Sequence, residues 1–269
     1  MKMRAGVVAV LLVLLMTGVA FGQQAAVPMV READPAFEVA TIKPNDSGIQ
    51  VMMGLGFRGR NFSTRNTSVG DLIGFAYGKN SKQIVGVPKE MERERYDING
   101  VPDVEGVPNV RQQQTMVKKL LTERFKLTFH EDKREMAAFV MTVGKDGSKL
   151  VPTKLDGLNP VTGVRPSDDG WVLSSQNASM AIWAGVLQLV VLDRPVVDKT
   201  GLTGRYDVAV DFTPDNSQFN GHPPPPRTTQ NPSPGLFDAM QQQLGLKLNA
   251  EKAMVDVVVV DSVTKPSEN

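Results

Sequence analysis

The chain contains no cysteine among its 269 residues. Disulfides, thiolate catalysis, cysteine zinc sites and a lipidated N-terminal cysteine are therefore excluded. Histidine is nearly absent too, since only His130 and His222 occur and they lie far apart in the sequence. No histidine or carboxylate spacing typical of a zinc site or an EF-hand is present. The sequence therefore predicts no metal site and no cofactor.

An excess of either charge is also missing, because 30 Lys and Arg stand against 29 Asp and Glu. Proteins that bind nucleic acids carry a basic excess that neutralises phosphates. We therefore expect no nucleic-acid partner.

Long apolar runs are missing after residue 22. Residues 1–22 begin with the basic stretch "MKMR", continue with an apolar run over 5–20, and end with small residues at Ala20 and Gly22. This three-part pattern predicts a cleaved secretory signal peptide, and the run is short for a membrane span. An uncleaved N-terminal anchor is the alternative. We expect an exported protein, periplasmic or extracellular, with no membrane span after cleavage.

Familiar catalytic motifs are missing or misplaced. Residues 199–201 and 262–265 match two motifs of penicillin-recognising enzymes only superficially, because their order is reversed and the S-D-N element is absent. The stretch 74–80 ends a predicted helix, whereas a phosphate loop begins one, so Gly78 is interpreted as a helix C-cap. The G-x-S-x-G motif is absent as well. The sequence assigns no catalytic residue.

An internal duplication is the main feature that the sequence does contain. Three blocks recur in the same order, and both copies of the first block carry Asn-x-Ser before an apolar stretch. The matching blocks are 61–77 with 171–187, 82–100 with 194–210, and 117–143 with 236–263.

The duplication divides the chain into segments. Each copy is predicted to run strand-helix-strand-strand-helix-strand-strand, with Ser68 and Asp71 forming a capping box and Ser179 capping the second copy. The pattern after residue 245 predicts a hairpin whose last strand is central in a sheet. The expected fold class is α+β, with two tandem copies packed as one domain around mainly antiparallel sheets. The predicted segments are a signal peptide (1–22), a polar lead-in (23–35), copy one (36–143), a connector (144–170), and copy two (171–269) with a proline-rich loop (213–235).

The tripeptide "RYD" occurs once in each copy and supplies most of the candidate site. Strand alternation places the tyrosines, Tyr96 and Tyr206, toward the core and the Arg and Asp side chains on the opposite face. A structural role is favoured over acid–base catalysis because the motif is duplicated. The turn before the second copy of the motif differs from the first and exposes a lysine, so a binding function would lie there. The candidate binding residues are Asp198, Lys199, Thr200, Arg205, Asp207, Arg95 and Asp97.

Several motifs carry a resemblance to a known family. They are "FEVATIKPN", "QIVGVP", "RYDI", "LLTERFKLTFH", "VVDKTGLTGRYD", "LGLKL" and the terminal "KPSEN". With these, residues 36–269 resemble the secreted "soil-associated" family of acidobacteria, a domain of unknown function. Some members carry this domain beside an antirepressor-type membrane metallopeptidase. The resemblance implies an exported bacterial protein with a sensory or binding role, and it transfers no catalytic residue.

Three functions are consistent with these patterns. The favoured one is a non-catalytic binding or interaction module of the bacterial cell envelope, whose partner is an envelope protein or a small ligand, since sheet edges can accept a partner strand. The alternatives are a ligand-sensing domain of an envelope signalling system and an envelope hydrolase that uses carboxylates such as Asp97 and Asp207.

Overall fold

A computed structural model describes residues 27–49, 52–155 and 160–267. The predicted signal peptide and the first residues of the lead-in lie outside the described residues. The helices are α1 (Val69–Tyr77), α2 (Lys89–Arg93), α3 (Val110–Arg124), α4 (Met180–Val186) and α5 (Leu236–Ala239), and π-helical turns extend α4 over Leu187–Val191 and α5 over Met240–Leu244. The strands are β1 (Phe37–Pro44), β2 (Gly54–Arg58), β3 (Asn61–Thr67), β4 (Ile84–Val85), β5 (Tyr96–Pro102), β6 (Thr128–Val143), β7 (Val151–Pro152), β8 (Val161–Pro166), β9 (Trp171–Ala178), β10 (Val196–Asp198), β11 (Tyr206–Phe212) and β12 (Leu246–Ser262).

These strands form three four-stranded sheets. The first sheet has the order β1-β5-β3-β2, the second has β7-β11-β9-β8, and the central sheet has β10-β6-β12-β4. Most neighbouring strands run antiparallel, and β4 and β10 join the central sheet in parallel. The fold is α+β with mainly antiparallel sheets, as the sequence predicts.

The first and second sheets, here called the outer sheets, have the same topology. The strands β1, β5, β3 and β2 of the first correspond to β7, β11, β9 and β8 of the second. In the first half β3 leads into α1, and in the second half β9 leads into α4. The short strand β4 pairs with β12 of the other half, and β10 pairs with β6 of the other half. Segment 144–170, interpreted from the sequence as a connector, contributes β7 and β8 to the second sheet.

The hairpin predicted after residue 245 is wrong, and the two strands predicted at the end of copy one are likewise a single strand. Strand β6 is continuous over Thr128–Val143, and β12 is continuous over Leu246–Ser262. The two strands pair with each other along almost their whole length, from Leu246 with Val143 to Ser262 with Thr128. The charged stretch in the middle of each strand is therefore extended, because the partner strand satisfies its backbone groups. Most of its side chains are exposed.

Helix caps follow the sequence prediction. The Ser68 hydroxyl accepts from the Asp71 N–H at 3.1 Å, and the Asp71 carboxylate accepts from the Ser68 N–H at 2.9 Å. Gly78 ends α1 with a φ of 64°, which is a conformation that favours glycine. Ser179 caps α4 by accepting from the Ile182 N–H.

The antiparallel pair of β6 and β12 is called the central ribbon. Each half encloses a hydrophobic core between its outer sheet, its helices and one end of this central ribbon. The first core contains Leu72, Tyr96 and Phe125, and the second contains Leu173, Trp183 and Phe212, all nearly inaccessible to solvent. Burial of large apolar side chains is the dominant favourable contribution to folding, and each core is completed by the other half, with Val258 in the first core and Met141 in the second.

Candidate functional site

The first "RYD" motif supports the backbone of a neighbouring strand. Asp97 accepts hydrogen bonds from the Asn66 backbone N–H at 2.9 Å and from Asn45 Nδ2 at 2.7 Å. These two donors, helped by the positive charge of Arg65, hold the pKa of Asp97 below its usual value. Asn66 is fully buried and has a φ of 54°, so the carboxylate stabilises a left-handed residue.

The second motif makes the corresponding contacts. Asp207 accepts from the Asn177 backbone N–H at 3.0 Å, and Asn177 has a φ of 53°. Arg205 Nη1 donates to the Asn177 carbonyl at 2.9 Å, whereas Arg95 Nη1 donates to the Glu92 carbonyl at 3.0 Å. The Arg and Asp side chains of both motifs therefore bind backbone groups of the protein itself.

The tyrosines of the two motifs differ in burial. Tyr96 is almost inaccessible and lies edge-on to Phe125 at a centroid separation of 5.3 Å, while Tyr206 is half-buried. Burial, followed by the negative charge of Glu94, raises the pKa of Tyr96 to about 12. Tyr96 is thus a neutral core residue at physiological pH, as the strand alternation predicts.

The turn after β10 is held together by its own side chains. Asp198 Oδ1 accepts from the Thr200 N–H at 2.9 Å and from Thr200 Oγ1 at 2.7 Å. The Thr200 hydroxyl accepts in turn from the Leu202 N–H, and Leu202 packs on the second core. The Lys199 N–H donates to the Met141 carbonyl, while the lysine residue itself is exposed.

The seven predicted binding residues do not form one site. Asp97 lies on β5 of the first sheet, Asp207 lies on β11 of the second sheet, and Asp198 ends β10 of the central sheet. Arg95 and Arg205 immediately precede β5 and β11. Asp198 does line a cleft of about 280 Å³ where the halves meet, together with Lys79 and Asp256. In this cleft Gln83 and Gln188 are buried and their amides are occupied by hydrogen bonds within the protein.

A larger trough crosses the outer face of the first sheet. Its volume is about 860 Å³, and residues of β1, β2, β3 and β5 line it. Val39, Met53 and Val101 are 56%, 57% and 39% exposed beside it, so the trough has an accessible apolar surface. Hydroxyl and amide side chains alternate with these residues, namely Thr41, Asn61, Ser63 and Asn99.

Glycines on β2 leave room above the sheet. A Cβ atom added to Gly54 or to Gly56 would meet no heavy atom within 4 Å. The aromatic side chains of the same sheet lie on its other face, where Phe37, Phe57 and Phe62 pack together at centroid separations of 5.1–6.3 Å. The absence of side chains at Gly54 and Gly56 therefore helps to form the trough.

The charged residues that line the trough are Arg58 and Arg65, and no carboxylate lines it. Both arginines are exposed, and neither forms an ion pair within the part of the chain that the structure describes. Neither arginine is among the binding residues predicted from the sequence. The alternation "GLGFRG", which puts Gly54, Gly56 and Arg58 on one strand face, is the signal that could have indicated Arg58.

The matching position of the second sheet is occupied by the chain itself. Val101 lies four residues after Asp97, and its counterpart four residues after Asp207 is Asp211. Asp211 Oδ1 accepts from Ser233 Oγ at 2.8 Å, and Trp171 Nε1 donates to the Pro225 carbonyl at 3.0 Å. The proline-rich loop 213–235 is thus bound along one end of this sheet, whereas the short connection 103–109 leaves Val101 exposed.

The described residues lack two features of other kinds of functional site. They contain no group of three or more His, Asp or Glu side chains that could hold a metal ion. Nor does this part of the chain include a helix with the length and apolar character needed to cross a membrane.

Comparison with known proteins identifies one family. The family model described as "Protein of unknown function (DUF3738)" matches residues 70–263, which is more than half of the chain. No curated protein and no solved structure matches the chain significantly. The match covers both "RYD" motifs and both strands of the central ribbon, β6 and β12. The chain therefore belongs to the DUF3738 family.

Proposed function

We propose that this protein is an exported, non-catalytic interaction module of the bacterial cell envelope, which binds an extended segment of a partner protein in the trough of the first sheet. The observation that carries the proposal is the difference between the halves. In the second half the protein's own loop bonds to Asp211 and Trp171, while in the first half the counterpart Val101 is exposed.

The open edge of the first sheet supports binding of an extended segment. Strand β2 pairs with β3 on one side and is the last strand of its sheet. An edge strand offers unpaired backbone N–H and C=O groups, and partner strands add to such edges in several recognition modes. A segment that joins β2 would also place alternate side chains over the trough.

Export is proposed from the sequence pattern of residues 1–22 and from the resemblance to the acidobacterial soil-associated family. Both favour a periplasmic or extracellular location. The tandem duplication is likewise a proposal, supported by the matching sheet orders, by the paired left-handed residues Asn66 and Asn177, and by the exchange of β4 and β10 between halves.

The hydrolase alternative is less well supported. A general acid needs a carboxyl group whose pKa is raised toward the working pH. Hydrogen-bond donors lower the pKa of Asp97 instead, and the carboxylate of Asp207 accepts from a backbone N–H. The two residues also lie on different sheets, so they cannot be assigned as a catalytic pair.

Site-specific photo-cross-linking in the producing cell tests the proposal. A photoreactive phenylalanine analogue at Val101 should give a discrete cross-linked protein, and the same analogue at the exposed Val161 of β8 should not. Gly56→Leu fills the trough without a clash and should abolish this cross-link. The matched change Gly163→Leu on β8, where an added Cβ also meets nothing, should preserve it. Equal cross-linking at both positions, or none at Val101, would refute the proposed function.

A second candidate function is a sensor of small molecules, and the cleft between the halves favours it. Lys79, Asp198 and Asp256 offer both charges around about 280 Å³. Binding sites often lie where two halves of a protein meet. A ligand at 100 times its Kd should raise the unfolding free energy by about 2.7 kcal/mol, and a thermal-shift screen would show this. An effect that persists in Asp198→Ala and Lys79→Ala would exclude this cleft.

A further inference from the structure

The geometry of the trough points to an acidic partner segment, with two carboxylate side chains four residues apart on one face of a strand. This inference rests on the proposed function, because it names the chemistry of the segment that the first sheet binds.

Positive charge exceeds negative charge around the trough. Arg58 and Arg65 line it, and Lys43 is exposed on β1 at the other edge of the sheet. Asp97 stands opposite Lys43. The hydrogen bond from the Asn66 N–H and the positive charge of Arg65 both lower the pKa of Asp97, so its carboxylate offsets part of the positive charge. A segment with negative charge would still meet a net positive surface, and guanidinium groups bind carboxylates through paired hydrogen bonds.

The register of the sheet sets the spacing of the two charges. Gly54 of β2 stands opposite Arg65 of β3, and Arg58 stands opposite Asn61. Positions 54 and 58 are four residues apart, which corresponds to roughly 13–14 Å along a strand. Side chains at i and i+4 of an extended segment lie on the same face at this separation, so one carboxylate can meet each arginine.

The space between the arginines has a different character. Gly56 lies midway along β2 and has open space where a side chain would be. The residue at i+2 of the bound segment would stand beside Gly56, whose cross-strand neighbours are Ser63 and then Asn99. A branched side chain fits the open space at Gly56, and the amide of Asn99, whose oxygen accepts from Ser63 Oγ at 3.2 Å, keeps its N–H groups for the segment.

Fluorescence anisotropy with labelled peptides tests the inference on the full chain. The probe is the peptide TETVTET, which carries glutamates at i and i+4 and a valine between them. The control peptides are TKTVTKT, with the opposite charge, and TEETVTT, with adjacent glutamates. We expect TETVTET to bind at least tenfold more tightly than either control. Its binding should weaken between 0.1 M and 1 M salt, because the Debye length falls from about 10 Å to about 3 Å.

Charge-reversal variants locate the site. Arg58→Glu combined with Arg65→Glu should weaken TETVTET binding at least tenfold and should favour TKTVTKT. Arg165→Glu is the matched control, because Arg165 is exposed on β8 of the second sheet and should leave the affinity unchanged. If the double variant loses its circular dichroism signal, the milder pair Arg58→Gln and Arg65→Gln replaces it, with the same expected direction.

The outcomes separate this inference from the function on which it rests. The acidic specificity would be overturned by equal binding of the acidic and basic peptides, by no binding of either, or by an affinity that is unchanged in both arginine variants. It would also be overturned if the protein bound polygalacturonate, an anionic polysaccharide, tightly and did not bind TETVTET. If the Val101 cross-link persists in those cases, the interaction module stands with a different partner chemistry. If that cross-link is absent as well, both proposals fail.

Discussion

Replacing Asp97 tests whether the duplicated motif is structural. Asp97→Ala removes the acceptor of the buried Asn66 N–H and of Asn45 Nδ2. The backbone donor then stays buried without that partner, in a residue with a φ of 54°. A buried donor that loses its partner costs about 1–3 kcal/mol, and a hydrogen bond to a charged group contributes about 1.5–3 kcal/mol.

These magnitudes give an expected loss of about 2–4 kcal/mol for Asp97→Ala. The melting temperature should fall by about 2–4 °C per kcal/mol for a chain of this size, which amounts to roughly 5–15 °C. Asp207→Ala should cost less, because its carboxylate accepts from Asn177 and has no counterpart of the Asn45 bond among the described contacts. Asp97→Asn should cost about 1 kcal/mol, since an amide oxygen can still accept.

The pH dependence follows from the lowered pKa of Asp97. A group whose pKa is lower in the folded state contributes stability above its unfolded value, which is near 3.8. This contribution is lost as the pH falls through the folded value. The stability difference between the wild type and Asp97→Asn should therefore be constant near neutrality and shrink below about pH 4.

Urea denaturation followed by circular dichroism measures these differences, with Asp168→Asn as an exposed carboxylate control. Surface substitutions change the free energy of unfolding by about ±0.5 kcal/mol. A loss of stability below about 0.5 kcal/mol for Asp97→Ala, or one no larger than that of the control, would therefore refute the structural role. Asp97 would then again be a candidate binding residue.

Further changes test the helix cap and the pairing of the two halves in the central sheet. Ser68→Ala should destabilise the protein by about 1 kcal/mol in urea denaturation because it removes half of a capping box, whereas Ser81→Ala, in an exposed turn, should change little. Fragments 27–146 and 147–269 should each fail to fold alone and should regain near-ultraviolet circular dichroism when refolded together, because β6 pairs with β12 and the short strands β4 and β10 cross between halves. Independent folding of either fragment would contradict this view of the central sheet.

Local signals in the sequence predicted much of the fold correctly. Ser68 with Asp71, Ser179 and Gly78 mark helix ends through short-range hydrogen bonds and backbone geometry, and all of them act as caps in the structure. The alternation around Tyr96 places that residue in the core. Such signals depend on residues within a few positions of one another, so a single sequence contains them.

Long-range pairing between β6 and β12 explains why the hairpin predicted after residue 245 is wrong. The charged stretches within β6 and β12 have the composition of turns, yet each is extended because the other strand satisfies its backbone groups. Asn66 and Asn177 each precede a cap serine by two residues, and the cap pattern does not indicate their backbone conformation. Their left-handed conformation depends on carboxylates roughly thirty residues away, which a local pattern does not show.

The sequence by itself determined the α+β class, the helix ends, the core faces of the strands and the absence of cysteine chemistry, because composition and local periodicity decide these features. The tertiary structure decided where binding is proposed. It separated the seven predicted residues among three sheets, and it brought Arg58, Arg65 and Val101 together from three strands around the glycines of β2. Register between distant strands sets that arrangement, and register is fixed only when the whole sheet packs on its core.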